Sequence, residues 1–135
     1  MGLAERRAAH NFRTDEYPAW KARLDEAAGF AVPVEVAWDE LAVDGYATSY
    51  AEFFPKVYFQ PLVTALAGVT IDDMGREALR SGLAKIVVRN SGEYSGVGGF
   101  TFVDGVLTFD HRSDANIEYG DERAKQVQQL LEANL

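Results

Sequence analysis

The sequence predicts an α+β fold: N-terminal helices, a mainly antiparallel sheet of about four strands with a C-terminal Asp-Gly hairpin, and a closing C-terminal helix. Two observations favour this class. Apolar residues recur at helical spacing through the first half of the chain, and short β-branched runs follow in the second half. Because helices and strands are grouped rather than alternating, we expect a single α+β domain over residues 1–135.

Composition narrows the classes of protein to which the chain can belong. Of its 135 residues, 47% are hydrophobic and 25% charged, the usage of a globular protein. The net charge of −8 disfavours nucleic acid as a partner, because an acidic surface repels phosphate. Cysteine is absent, which excludes disulfides, a thiolate nucleophile and cysteine-ligated metal. With no secretory signal and no stretch long enough to span a membrane, we expect a cytoplasmic protein without a membrane partner.

The N-terminal region is predicted to contain two helices and one strand. Residues 3–12 are rich in Ala, Glu and Arg, which favour helix. A second helix is expected over 15–29, with Asp15 as its cap and a glycine as its stop. Valines alternate with other residues over 32–38, which is the pattern of a strand. Because Pro33 has no N–H, this strand is expected at a sheet edge or to begin there.

The middle of the chain is predicted to form three helices separated by breaks. A capping-box spacing marks a helix start near Ser49. Pro55 and Pro61 cannot both lie inside one regular helix, because each lacks an N–H and clashes with the preceding turn. We therefore expect a short helix, a break, and a second helix that ends at Gly68. A third helix is expected over 70–81, since the capping spacing recurs at its start.

The clearest signal is a β-hairpin in the second half of the chain. Residues 99–103 and 106–110 are rich in β-branched and aromatic side chains, and Asp104-Gly105 lies between them. These two residue types suit a type I′ turn, in which both central residues need positive φ. The resulting register predicts one buried face, formed by Phe100, Phe102, Leu107 and Phe109.

Two further elements flank the hairpin. The β-branched run 85–89 predicts another strand. After the hairpin, a helix is expected from about Asp121 to Asn134, because its acidic first residues suit the positive end of the helix dipole. The predicted buried stripe of this helix contains Ala124, Val127, Leu130 or Leu131, and Leu135.

Two loops carry polar side chains that are candidates for ligand binding or catalysis. The glycine-rich loop 90–99 has no Lys or Arg and leads into a strand, so it does not fit a phosphate cradle. The segment 110–119 gathers Asp, His, Asn and Glu directly after a strand, where functional side chains often lie. Together the loops supply the candidates for a small-molecule pocket, which are Glu93, Tyr94, Asp110 and His111.

A calcium-loop pattern begins in the second loop but does not continue. Asp114, Asn116 and Glu118 have the spacing of the first three ligands. However, Gly120 comes one position late, and Lys125 stands where the closing glutamate is needed. The sequence therefore predicts no catalytic residue, no cofactor and no resident metal, and it leaves open whether the first three side chains bind a cation.

Acidic residues are concentrated in one interval of the chain. No Lys or Arg lies between Arg23 and Lys56, although seven acidic residues do, whereas residues 76–89 are net basic. Aromatic residues are dense over 46–59, and acids beside aromatics suit an interface with a basic protein. The predicted contact residues are Asp39, Glu40, Asp44, Tyr46 and Tyr50.

Three functions are compatible with these patterns. We favour a small acidic binding module rather than an enzyme, such as an adaptor or an inhibitor or immunity-type protein, with a basic protein as its partner. The alternative is a small enzyme or small-molecule-binding domain with a pocket between the sheet and the aromatic segment 46–59. A third possibility is a homo-oligomer joined through Val103 and Val106 on the outer face of the hairpin.

Overall fold

Helices and one four-stranded sheet make up the fold, and a computed structural model describes residues 2–135. The helices are α1 (Leu3–Asn11), α2 (Tyr17–Ala28), α3 (Trp38–Leu41), α4 (Tyr50–Phe54), α5 (Gln60–Val69), α6 (Asp73–Gly82) and α7 (Gly120–Asn134). The strands are β1 (Val34–Val36), β2 (Lys85–Arg89), β3 (Phe100–Val103) and β4 (Val106–Asp110). The predicted α+β class and the closing helix are confirmed.

The sheet is mixed, so the expectation of a mainly antiparallel sheet is wrong. Its strand order is β1-β2-β4-β3, in which β1–β2 and β2–β4 are parallel and only β3–β4 is antiparallel. The physical reason is that β2 pairs with the second strand of the hairpin, which sets Ile86 beside Leu107 and Val88 beside Phe109. This register brings the buried residues of both central strands to the same face.

The predicted hairpin is confirmed in position, register and buried face. Val103 pairs with Val106, as a two-residue turn requires. Asp104 and Gly105 have φ of 52° and 79°, the positive values of a type I′ turn. Of the four residues expected to face the core, three are buried and one is partly buried: Phe100, Leu107, Phe109 and, in part, Phe102.

The prolines do not interrupt the helices as predicted. One π-helical turn (Phe12–Glu16) joins α1 to α2, and another (Pro55–Phe59) joins α4 to α5. Each of these turns precedes a proline, Pro18 or Pro61, in the first turn of the next helix. A π-helical turn is wider than a regular one, which gives the proline ring room where a regular helix would clash. The predicted helix end at Phe54 is confirmed, but a π-helical turn follows it in place of the expected break. The second helix begins at Tyr17, two residues after the expected start at Asp15.

Smaller differences concern the ends of elements. The strand predicted over 32–38 is shorter, because Trp38 already begins α3. The cap of α6 is Asp72, whose carboxylate accepts from the Gly75 N–H at 2.8 Å. The helix predicted to begin near Thr70 therefore begins three residues later, directly after the residue whose carboxylate caps it.

The helices cover one face of the sheet, and α5 packs against both α2 and α7. Residues of the two central strands on this face are fully buried: Ile86, Val88, Leu107 and Phe109. The alternate residues point to the other face, where they are exposed or partly exposed: Glu35, Val87, Thr101, Val103, Val106 and Thr108. The molecule thus has a helical layer and a sheet layer, with the core between them.

Candidate functional site

Three parallel strands end at the same edge of the sheet. There β1 leads into α3, β2 leads into the glycine-rich loop 90–99, and β4 leads into the loop 111–119. Ligand and partner sites of sheets with parallel strands commonly lie at the carboxyl ends of those strands. The fold therefore brings together the acidic interval and the two polar loops that the sequence analysis had treated separately.

Arg89 links two carboxylates at this edge of the sheet, those of Glu40 and Asp110. Its Nε and Nη2 atoms each lie 3.2 Å from a carboxylate oxygen of Glu40, and its Nε lies 4.0 Å from Oδ2 of Asp110. The same carboxylates accept backbone hydrogen bonds, Glu40 from the Asn90 N–H at 3.2 Å and Asp110 from the Ser91 N–H at 2.9 Å. Two of the predicted site residues thus hold the strand ends in place.

The loop 111–119 is fixed against the segment that follows α3. The Ser113 hydroxyl donates to the Leu41 carbonyl at 2.7 Å, and both residues are buried. The Arg112 guanidinium donates to Asp114 at 3.1 and 3.2 Å. These hydrogen bonds to Asp114 raise the pKa of Arg112, and the nearby Tyr46 adds to the rise.

Two aromatic rings and two carboxylates of segment 44–53 are at least partly exposed, and Lys56 links this segment to the loop 111–119. Tyr46 is 39% exposed, and its ring centroid lies 5.8 Å from that of the partly exposed Phe53. The Lys56 ammonium lies 3.1 Å from Glu52 and 3.0 Å from Glu118, which joins α4 to the loop 111–119. We call this patch the Tyr46 surface, and define it by Asp44, Tyr46, Glu52, Phe53 and Glu118.

Of two other acidic residues, Asp39 lies on α3 and Glu5 contacts the Tyr46 surface. Glu5 reaches it from α1, because its carboxylate accepts from the Gly45 N–H at 3.2 Å. This backbone hydrogen bond lowers the pKa of Glu5. Asp39 is exposed on α3, next to the Arg89-bound Glu40. No local pattern of the sequence indicates the position of Glu5, because Glu5 lies forty positions from Gly45 and only the tertiary fold connects them.

Tyr50 lies inside the protein rather than on the Tyr46 surface. It is 2% exposed, and its hydroxyl donates to the Val43 carbonyl at 2.9 Å. Burial raises the pKa of Tyr50. The residue supports the turn that presents Tyr46, so its predicted role as a direct contact with a partner does not fit its position.

The four pocket candidates do not converge on one cavity. Asp110 and His111 are buried, Tyr94 within the glycine-rich loop is partly buried, and Glu93 is exposed. An open cavity of about 230 Å³ between the two loops is lined instead by other residues: Ser95, Gly96, Val97, Asn116, Tyr119, Glu122 and Arg123. Sequence proximity in the two loops therefore did not translate into a shared pocket.

His111 is enclosed on all sides. Its Nδ1 atom lies 2.6 Å from the Arg112 carbonyl, and its backbone carbonyl accepts from the Tyr58 hydroxyl at 2.6 Å. Its Nε2 atom is buried without a hydrogen-bond partner among the described residues. Burial lowers the pKa of His111, which keeps the ring neutral.

Aromatic side chains fill the space between the sheet and segment 46–59 at the point where a ligand pocket was expected. Phe54, Tyr58 and Phe59 are fully buried. The Tyr58 ring centroid lies 5.7 Å from that of Phe109 on β4. The sheet and the aromatic segment thus meet through direct ring contacts, which is the packing of a protein core.

The three side chains with calcium-loop spacing point to different partners. Asp114 binds Arg112, Asn116 donates to the Ser95 carbonyl, and Glu118 binds Lys56. Across residues 2–135, no group of three or more His, Asp or Glu side chains lies close enough together to hold a metal ion.

The chain was compared with known families and structures. It matches no protein-family model, no curated protein and no solved structure. Among the helices of residues 2–135, none is both long and apolar enough to cross a membrane.

Proposed function

We propose that the chain is a small acidic binding module, not an enzyme, that holds a basic protein partner against the Tyr46 surface. The observation that carries this proposal is a pair of rings, the exposed Tyr46 and the partly exposed Phe53, set among carboxylates. Aromatic residues at the centre of a patch and charged residues at its rim are the usual composition of protein interfaces.

The ion pairs around the rings support a cationic partner rather than an anionic one. Lys56 is shared by Glu52 and Glu118, so this cluster keeps one negative charge in excess. Arg89 is likewise shared by Glu40 and Asp110. Such an excess steers a basic protein toward the surface and raises its association rate, an effect that salt weakens.

The proposal is tested by affinity capture from a lysate of the native host, with capture by wild type and by two variants compared. One variant carries Asp39→Asn and Asp44→Asn, and the other carries Tyr46→Ala. A control variant with Glu16→Gln and Glu26→Gln removes the same number of charges from α2 and the turn before it, which contribute no residue to the Tyr46 surface. The captured protein is then purified and its dissociation constant is measured at two salt concentrations.

We expect a captured protein with a high isoelectric point that is lost with both test variants and kept by the control. Tyr46→Ala should raise the dissociation constant by at least about tenfold, the effect of removing a central aromatic anchor. The double Asn variant should chiefly slow association and reduce the salt dependence. Equal binding by all variants, or binding that salt does not affect, would rule out the Tyr46 surface as the docking site.

A further inference from the structure

The exposed side of α6 carries charges in a self-complementary order. Asp73, Arg76, Glu77 and Arg80 recur at i, i+3, i+4 and i+7, so they lie along one side of the helix. All four are exposed. If a second α6 lies antiparallel to the first and is centred between residues 76 and 77, each acid faces a base: Asp73 faces Arg80, and Glu77 faces Arg76.

Large apolar side chains are exposed beside this charged stripe. Met74 is 83% exposed and Ile71 is 77% exposed, the highest values among the exposed large hydrophobic residues of 2–135. They border a groove of about 360 Å³ that is also lined by Val69, Ala78 and Leu135. A contiguous apolar patch with a polar rim is typical of a surface that another protein covers.

We propose that α6 is a homodimer interface, in which the helix packs antiparallel against α6 of a second copy. The two-fold axis lies level with the midpoint between Arg76 and Glu77, perpendicular to both helices. At about 100° per residue, Met74 and Ala78 lie on the same flank of the charged stripe. The two-fold axis keeps this flank on the same side in both copies, so Met74 of one copy lies beside Ala78 of the other.

Contacts within the chain do not prevent this arrangement. Arg76 binds its own Asp73 and donates to the Thr70 carbonyl at 3.1 Å, and Arg80 donates to the Gly29 carbonyl at 3.2 Å. Exposed pairs of this kind contribute little to stability, so they can exchange for pairs with a second copy. The interface is separate from the Tyr46 surface, and the inference does not depend on the proposed function.

Sedimentation velocity from about 1 µM to about 1 mM measures the association directly. We expect the wild-type chain to form a dimer, and Met74→Asp to raise the dissociation constant by at least about tenfold. Because Met74 is almost fully exposed, this variant should fold, which circular dichroism checks. Val103→Asp serves as the matched control on the outer face of the hairpin and should leave the dimer intact. A monomer at all concentrations, or a dimer lost only with Val103→Asp, overturns the proposal.

Two charge variants provide a second test. One has Arg76→Glu and Arg80→Glu, so its α6 stripe is entirely acidic; the other has Asp73→Lys and Glu77→Lys, so its stripe is entirely basic. Each should be monomeric alone, because like charges then face each other, and a mixture of the two should dimerise. If the mixture stays monomeric while wild type dimerises, or if either variant dimerises alone like wild type, the antiparallel α6 register is wrong.

Discussion

Arg123 is the most unusual residue of the core. It lies on α7, is 2% exposed, and makes no ion pair with a carboxylate of residues 2–135. Its guanidinium instead donates to backbone carbonyls at distances of 2.6 to 3.2 Å. Burial lowers the pKa of Arg123, but the four carbonyl oxygens stabilise its charge where water is absent. These acceptors belong to Lys56, Val57, Asn116 and Ile117.

Replacement of the Arg123 side chain should destabilise the protein more than replacement of an exposed side chain on the same helix. We expect Arg123→Met to lower the free energy of unfolding by about 3 kcal/mol, because it leaves buried carbonyls without donors. Lys125→Met is the matched control, since Lys125 is exposed on α7, and it should change stability by less than about 0.5 kcal/mol. Urea unfolding of both variants checks this, and similar losses in the two would contradict the role given to Arg123.

His111 should make stability depend on pH. Burial lowers its pKa in the folded state below the ordinary value of 6.5, so the unfolded chain binds the proton more readily. Its contribution is complete above about pH 6.5, and it is lost as the pH falls from there to the folded-state pKa. We expect His111→Asn to reduce this fall, measured as the free energy of unfolding in urea between about pH 7.5 and pH 5.5.

The exposed His10 on α1 provides the control for that measurement. His10→Gln removes the other imidazole of the chain, and its pH profile is compared with those of the wild type and of His111→Asn. A pH profile that is unchanged in His111→Asn would show that other groups cause the loss of stability in acid.

At the scale of elements, the buried Arg123 supplies hydrogen bonds to backbone carbonyls of the π-helical turn before α5. Pro61 has no N–H to give to the carbonyls four and five residues earlier, which are those of Val57 and Lys56. Arg123 donates to both carbonyls at 3.2 Å. A side chain from α7 therefore replaces the backbone donor that the proline removes from the joined helices.

A double-mutant cycle should detect this substitution of donors. Pro61→Ala restores an N–H at the start of α5, so the loss caused by Arg123→Met should be smaller in the Pro61→Ala background, by about 1 kcal/mol. The four proteins of the cycle are compared by urea unfolding. Strict additivity of the two changes would mean that the proline and the arginine act independently.

The turn of the hairpin requires a glycine at position 105. Gly105 has φ of 79°, and a Cβ atom there would lie 3.0 Å from the Gly82 carbonyl. We expect Gly105→Ala to cost about 1–2 kcal/mol, because it adds both backbone strain and a close contact. Asp104→Asn, at a φ of 52° that asparagine tolerates, is the control and should be nearly neutral. Thermal unfolding distinguishes the two, and equal effects would contradict the steric argument.

Local patterns predicted some elements well and others poorly, for physical reasons. The hairpin was predictable because Asp104-Gly105 and the alternating apolar residues act over a few positions. The place of β2 beside β4 was not, because the pairing of Ile86 with Leu107 depends on residues about twenty positions apart. Arg123 was missed even though it lies four residues before Val127, on the apolar stripe of α7, since arginine was assumed to face water.

The candidate site was predictable only in part. The acidic and aromatic composition near Tyr46 was visible in the sequence, but Tyr50 turned out to be buried, and Glu5 joins the surface from α1. Segments distant in sequence meet at the carboxyl edge of the sheet because β1, β2 and β4 are parallel. Without the strand order, no local pattern could have grouped them.

For the whole molecule, the net charge of −8 should oppose folding at low ionic strength. We expect the free energy of unfolding to rise by about 0.5–1 kcal/mol between about 10 mM and 0.2 M sodium chloride, because salt screens the repulsion among carboxylates. A variant with Glu16→Gln and Glu26→Gln should show a smaller rise. Urea unfolding at several salt concentrations checks both, and a decrease of stability with salt would show that the ion pairs outweigh the repulsion.

The strand order also has a consequence for the rate and order of folding. Only two residues separate the paired strands of the hairpin, whereas about fifty residues separate the paired positions of β1 and β2, such as Val34 and Ile86. Loop closure over a long chain is slower, so the edge strand β1 is expected to join after the transition state for folding. Val34→Ala should then accelerate unfolding, while Leu107→Ala in the hairpin should slow folding. Stopped-flow kinetics in urea would reveal a nucleus built around β4, with the N-terminal part of the sheet added last.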